Sequence, residues 1–210
     1  MPSEEKTWIY RITHYRNLPW ILDHGVHCRA SPKQDPDFIN IGNSELIDKR
    51  AGRPVPIPPG GHLNDYVPFY FCKHSVMLYN IHTGRVEGVD VRQEHVIYLV
   101  STVERLEEHD LPFLFTNRHA YVANAKYYAD RAKLAKLDWP LIRGRDFARD
   151  PDDLDKLERR AAECLIHHKL PLKALAGIAC CDEKRLDYVE KEVAKRGLAL
   201  PAKIRRTWYF

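Results

Sequence analysis

Several features that would announce a function are missing from this sequence. Its five cysteines, at 28, 72, 164, 180 and 181, are odd in number and show no Cys-x-x-Cys spacing, so disulfides do not form its framework. No apolar run approaches the roughly 18 residues of a membrane-spanning helix. The opening Met1-Pro-Ser-Glu-Glu-Lys-Thr-Trp8 lacks the charged-then-apolar plan of a secretory signal. A soluble, cytoplasmic protein is therefore expected. Glycine is sparse, and Gly60-Gly61 lies among prolines without opening a helix, which excludes a phosphate-cradling loop. No Gly-x-Ser-x-Gly nucleophile turn is present. The eleven histidines are scattered, and the adjacent His167 and His168 would point to opposite faces of a strand, so no metal is expected. There is no repeat, low-complexity tract or long linker, which favours one domain over residues 1–210.

What is present begins with charge. The net charge of +4 is bland for the whole chain, but Asn117 to Arg149 holds eight Lys/Arg against three acids. That stretch carries about +5 and leaves the remainder near −1. A basic stretch of this kind is either a solvated face or the place where a polyanion binds.

Periodicity and punctuation give the elements. Trp8 to Ile12 reads as a buried strand, followed by a short helix with Leu18, Ile21 and Leu22 on one face, Pro19 in its first turn and Gly25 as its stop. Arg29 to Asn64 contains six prolines and no sustained period, and reads as a long functional loop. Strands are expected at Tyr66–Phe71, His95–Ser101, Pro112–Thr116, Ala162–Ile166, Leu175–Cys181 and Lys203–Tyr209. Helices are expected at Ala120–Leu137, Asp152–Arg160 and Asp182–Arg196, with Asp138-Trp-Pro breaking the pattern between the first two. This mixture predicts an α+β fold with a mostly antiparallel sheet.

One acid stands out. Glu163 interrupts the apolar run Ala161-Ala162-Glu163-Cys164-Leu165-Ile166. It is either turned to solvent on one face of a strand or held in a polar cleft.

The series His14-Tyr-Arg-Asn17-Leu-Pro, Asp65-Tyr-Val-Pro-Phe-Tyr-Phe71 with Met77-Leu-Tyr79, Phe115-Thr-Asn-Arg-His119-Ala, Leu137-Asp-Trp139 and Arg160-Ala-Ala-Glu163-Cys-Leu-Ile166 resembles the DarT-type DNA ADP-ribosyltransferase toxins. The likeness runs from about residue 8 to the C-terminus. It implies a mono-ADP-ribosyltransferase-like fold: two packed, mostly antiparallel β-sheets around an NAD cleft, with peripheral helices. It also implies transfer of ADP-ribose from NAD+, as co-substrate, to a thymidine base in single-stranded DNA, sequence-specifically, with release of nicotinamide. A macrodomain antitoxin would be the partner. Related alternatives are guanine, RNA or protein as acceptor, and a further one is a non-catalytic nucleic-acid-binding module.

By this resemblance Glu163 is the catalytic acid, stabilising positive charge on the ribose. Arg50 matches the family's catalytic arginine and would also hold NAD. Arg53 is the other candidate, and if the family's column falls on Ala51 the arginine is missing. His14 and Asn17 match an NAD-contacting cluster, and Tyr70 and Met77 match positions beside nicotinamide. Arg118, His119, Lys126, Arg143 and Arg145 would hold DNA phosphates, while Tyr121, Tyr127, Tyr128 and Trp139 would stack on unpaired bases.

Overall fold

In the computed structural model, residues 6–86 and 88–210 are described. The chain opens with strand β1 (Trp8–His14), helix α1 (Leu18–His24), strand β2 (Val26–His27) and helix α2 (Ser44–Ala51). Next come β3 (Tyr66–Tyr70), α3 (Val76–His82), β4 (Val96–Thr102), α4 (Val103–Glu108), β5 (Phe113–Thr116) and β6 (Tyr127–Tyr128). The last third holds α5 (Trp139–Arg143), α6 (Lys156–Arg160), β7 (Glu163–His167), β8 (Lys169–Leu170), β9 (Gly177–Cys180), α7 (Glu183–Ala194) and β10 (Ala202–Ile204).

Eight strands form one sheet in the order β10-β9-β4-β1-β3-β7-β5-β6, and β2 pairs with β8 in a small ribbon. Every pairing is antiparallel except β9 with β10, as the α+β reading expects. The ADP-ribosyltransferase-like α+β fold is met, but in place of two packed sheets there is one eight-stranded sheet and one two-stranded ribbon, the large sheet being weakest between β1 and β3. β1 and β4 pair over seven registers and β3 and β7 over five, whereas β1 and β3 meet only at Tyr10 and Tyr70. The cause is local. Two residues back along β3 stands Pro68, which has no N–H to offer the neighbouring strand. The Pro68 carbonyl instead accepts from the Arg11 guanidinium, Nη1 to O at 2.9 Å. The sheet parts there, and a cleft opens in the gap.

Burial follows the pleat. Ile9, Val67, Phe69, Ile97, Leu99, Cys164 and Ile166 turn to one face and pack with α1, α4 and α7. Ile12, Tyr98 and Val100 turn to the other, against Leu78 and Ile81 of α3 and Tyr209. α1 ends where expected: Gly25 sits at φ +79°, and a Cβ there would come within 2.7 Å of the Leu170 carbonyl. α7 matches its prediction closely, with Asp182 accepting from the Arg185 amide at 2.7 Å as N-cap.

The expected helix over Ala120–Leu137 does not form. Tyr127 and Tyr128 pair with Phe115 and Thr116 instead, and Arg131–Lys136 makes only a 3-10 turn. Tertiary pairing overrides the helix propensity of the alanines and lysines. Asp138-Trp-Pro starts a helix rather than breaking one, because Asp138 caps the Leu141 amide at 3.2 Å and Pro140 occupies a first-turn position. The second expected helix is confined to α6, and the last strand to β10, after which Arg206–Trp208 turns.

Candidate active site

The loop from Arg29 to Asn64 is not structureless. Its prolines lie at 32, 36 and then 54 onward, leaving a proline-free window in which α2 forms. Asn43 caps it by accepting from the Leu46 amide at 2.8 Å, and Glu45 pairs with Lys49 one turn on at 2.5 Å. Asn43-Ser-Glu and Gly52 are the start and stop signals that mark this helix in the sequence.

Helix α2 exists at the site to deliver Arg50. Its guanidinium meets Glu163, the first residue of β7, in a two-pronged pair: Nη1 to Oε1 at 3.2 Å and Nη2 to Oε2 at 3.0 Å. Glu163 is only 1% exposed, which settles its two readings in favour of the cleft. Oε1 also accepts from the Ala120 amide at 2.8 Å, and the Glu163 amide donates to Thr116 Oγ1 at 3.2 Å. Burial alone would raise the Glu163 carboxyl, but the Arg50 charge, with the Arg50 and Ala120 hydrogen bonds, outweighs it and holds the group below its usual range. It is ionised at neutral pH. Arg53, the rival arginine, donates to the Val122 carbonyl at 3.1 Å.

His119 stands with Nε2 3.8 Å from Glu163 Oε1. Burial pushes the ring below its usual value despite that carboxylate, so it is neutral at pH 7 and the approach is not an ion pair. The His119 amide donates to the Glu158 carbonyl at 2.8 Å, tying the turn to α6. Tyr70 lies directly opposite Glu163 in the β3–β7 register, and burial raises its phenol.

A cleft of about 460 Å³ opens over this group, its lining including Arg50, Tyr70, Met77, His119 and Glu163 together with Trp20, Cys28 and Phe38. Arg11 lines it too, lowered to about 10 by burial and then by Arg50. Sequence reasoning passed over Arg11, although a charge inside Trp8-Ile-Tyr-Arg-Ile12 is the same signal that singled out Glu163. The Ala120 amide, a backbone donor with no residue signature, and the Thr116 hydroxyl, which accepts from the Glu163 amide, were also missed.

The other expected residues fall in different places. His14 and Asn17 are buried and do not line the cleft. Asn17 is occupied in fastening the long loop: its amide donates to Thr13 Oγ1 at 3.0 Å and the Ile39 carbonyl at 2.9 Å, and accepts from the Ile39 amide at 2.9 Å. His14 Nδ1 accepts from the Arg16 amide at 3.3 Å. Arg118 is spent on Asp155 at 2.7 Å and Glu158 at 3.8 Å. Arg143 and Arg145 are exposed, the former 5.1 Å above the Trp139 ring. Trp139 packs edge-on against Phe71, and Tyr127 donates to the Ala120 carbonyl at 2.6 Å. Among the described residues no group of three or more His, Cys, Asp or Glu could hold a metal.

Comparison with known proteins agrees with this geometry. Residues 10–210 match the model of the family described as ssDNA thymidine ADP-ribosyltransferase, DarT. A DNA ADP-ribosyl transferase of Escherichia coli O127:H6 is 47% identical over 209 residues, covering 99% of this chain and 95% of that protein. The solved structure of Thermus sp. 2.9 DarT in complex with ADP-ribosylated ssDNA superposes with a TM-score of 0.88 at 34% identity, covering 97% of this chain and 96% of that one. The same protein in complex with NAD+ gives 0.84 at 34% identity, with 98% of each chain covered. An ionised carboxylate held by an arginine at the base of a cleft, on this sheet and across this length of sequence, places the chain in the DarT family of ADP-ribosyltransferases.

Proposed function

We propose that this protein transfers ADP-ribose from NAD+ to a thymidine base in single-stranded DNA, and that it does so as the toxin of a pair whose antitoxin is a macrodomain. The observation that carries this reading is the buried, ionised Glu163 clamped by Arg50, both lining a cleft of about 460 Å³.

The chemistry needs few groups. As the bond from ribose C1′ to nicotinamide breaks, its electron pair leaves on nicotinamide and positive charge grows on the sugar. A fixed carboxylate stabilises that charge without having to reorganise. C1′ then bonds the thymine nitrogen, whose N–H proton passes to water. Arg50 supplies Glu163 with a fixed orientation and offers the cleft a cation for the diphosphate; Arg11 adds a second. Tyr70 and Met77 would flank nicotinamide. Asn17 would act by holding the long loop, and His14 by bonding the Arg16 amide at the turn before α1.

Arg143 and Arg145, with Lys126, would take phosphates on the basic stretch, and His119 would face the incoming base. A base within a duplex cannot reach the cleft, so the acceptor is single-stranded or unpaired. One catalytic domain spanning 1–210 is supported by a sheet whose strands come from residues 8 to 204. Five free cysteines, four of them buried, favour the reducing cytoplasm.

Mass spectrometry of oligonucleotides incubated with NAD+ tests the reading. Thymine-containing single strands gain an ADP-ribosyl mass and thymine-free strands do not. Modification only of guanine-containing strands, RNA or protein would replace the acceptor and keep the chemistry.

A further inference from the structure

A second cavity, of about 590 Å³, is lined in part by sequence neighbours of the residues that line the first. Tyr70 turns into the catalytic cleft, and the next residue, Phe71, lines this other space. The cavity is walled on one side by the start of β1 and on the other by Trp139 and Arg143 of the basic stretch. Its lining among the described residues is one-sided in charge: Lys6, Lys73 and Arg143 contribute permanent cations, and none of the described Asp or Glu residues lines it. None of the three pairs with a carboxylate among the described residues.

The rings are as informative as the charges. Among the described residues the exposed large apolar side chains are Trp8, Phe38 and Leu154. Phe38 lines the catalytic cleft, and Trp8, at 43% exposure, lines the second cavity. Trp139 is oriented by its indole N–H, which donates to the Leu134 carbonyl at 2.9 Å, and carries the Arg143 guanidinium 5.1 Å over its face. Lys73 Nζ lies 5.9 Å over the ring of Trp208. These cations suit phosphate, and an exposed indole suits a flat base. A ligand with both is a nucleotide.

We propose that this cavity is a second subsite for the acceptor strand, taking the phosphate and base of a nucleotide some positions away from the thymidine that is modified. The proposal rests on the single-stranded DNA reading above and adds to it a built anchor, separate from Glu163, that sets the shortest efficient acceptor.

The test is the KM for oligonucleotides of increasing length, each with one thymidine, at saturating NAD+, for the wild-type protein and the Lys73→Glu and Trp8→Ala variants. The wild-type KM is expected to fall about tenfold once the strand is long enough to reach the cavity, the size of one base stack. Both variants should lose that step while matching the wild type on the shortest substrate, with unchanged thermal midpoints. A wild-type KM independent of length, or variants impaired equally on short and long strands, would overturn the subsite. Failure to modify any oligonucleotide while NAD+ is consumed would overturn the acceptor reading and the subsite with it.

Discussion

Arg50 and Glu163 stand 113 residues apart in the chain and face each other in plane, each guanidinium nitrogen opposite its own carboxylate oxygen. The pair is a buried electrostatic unit, and the proposed mechanism makes it the catalytic device. Glu163→Gln should lower transfer by a factor on the order of 10³, because a neutral amide stabilises developing positive charge poorly. It should also destabilise the fold by up to about 3–5 kcal/mol, since Arg50 keeps its charge without a partner. Oligonucleotide mass gain and thermal unfolding measure the two effects; a fully active Glu163→Gln enzyme would refute the assignment.

Arg50→Lys keeps the charge and loses the fork. An ammonium cannot engage both oxygens at once, so the carboxylate gains freedom to rotate. A fall in turnover of about 10²-fold is expected from lost orientation, with a smaller change in stability than in Glu163→Gln. Nicotinamide release is the readout, and wild-type turnover in Arg50→Lys would show that charge alone suffices.

Histidine burial predicts the response to acid. His14 is depressed to about 4 by burial and then by His95. Between that value and the ordinary His range the unfolded chain binds a proton that the native chain does not, so stability is full above roughly pH 6.5 and lost as the pH falls. At pH 5 this one group should already lower stability measurably. His119, also depressed by burial, adds in the same direction. Urea midpoints from pH 8 to 5 should decline, and His14→Gln should flatten the slope.

Asn17→Ala would release the long loop without touching the cleft. Its amide makes three hydrogen bonds, two of them to the backbone of Ile39. Leaving the Ile39 groups unpaired should cost about 1–3 kcal/mol. Proteolysis within residues 29–64 should accelerate and the KM for NAD+ rise, with less effect on the KM for DNA.

Two arginines of the basic stretch should separate. Arg118 is tied to Asp155 and Glu158, so Arg118→Ala should lower stability by about 1–2 kcal/mol. Arg145 is exposed, and Arg145→Ala should leave stability alone while reducing the salt dependence of DNA binding by about 0.7 in log–log slope. Binding titrations at several salt concentrations, beside thermal melts, distinguish the two.

Strand β1, helix α1, the β3 and β4 strands and helix α7 were legible because their patterns are local: alternating or helical burial between clear caps. Glu163 was legible because a charge interrupted an apolar run. Arg50 was reached only through family likeness, since the prolines around α2 disguised a helix whose own cap, Asn43, was in plain view. The false helix at Ala120–Leu137 failed for the opposite reason. Its propensity is real, but Tyr127 and Tyr128 gain more by pairing with β5, a partner that no local window contains. The backbone of Ala120, which completes the carboxylate's environment, had no signal at all.

The parting of the sheet at Pro68 also bears on how the protein avoids clumping. A strand that loses its neighbour ordinarily becomes an edge to which a foreign chain can add. Here the parting is enclosed within the molecule, and Arg11 fills it with a charged group bonded to the Pro68 carbonyl. The crevice proposed to take the dinucleotide is thereby barred to another β-strand, and the residue barring it is one of the cations that line it.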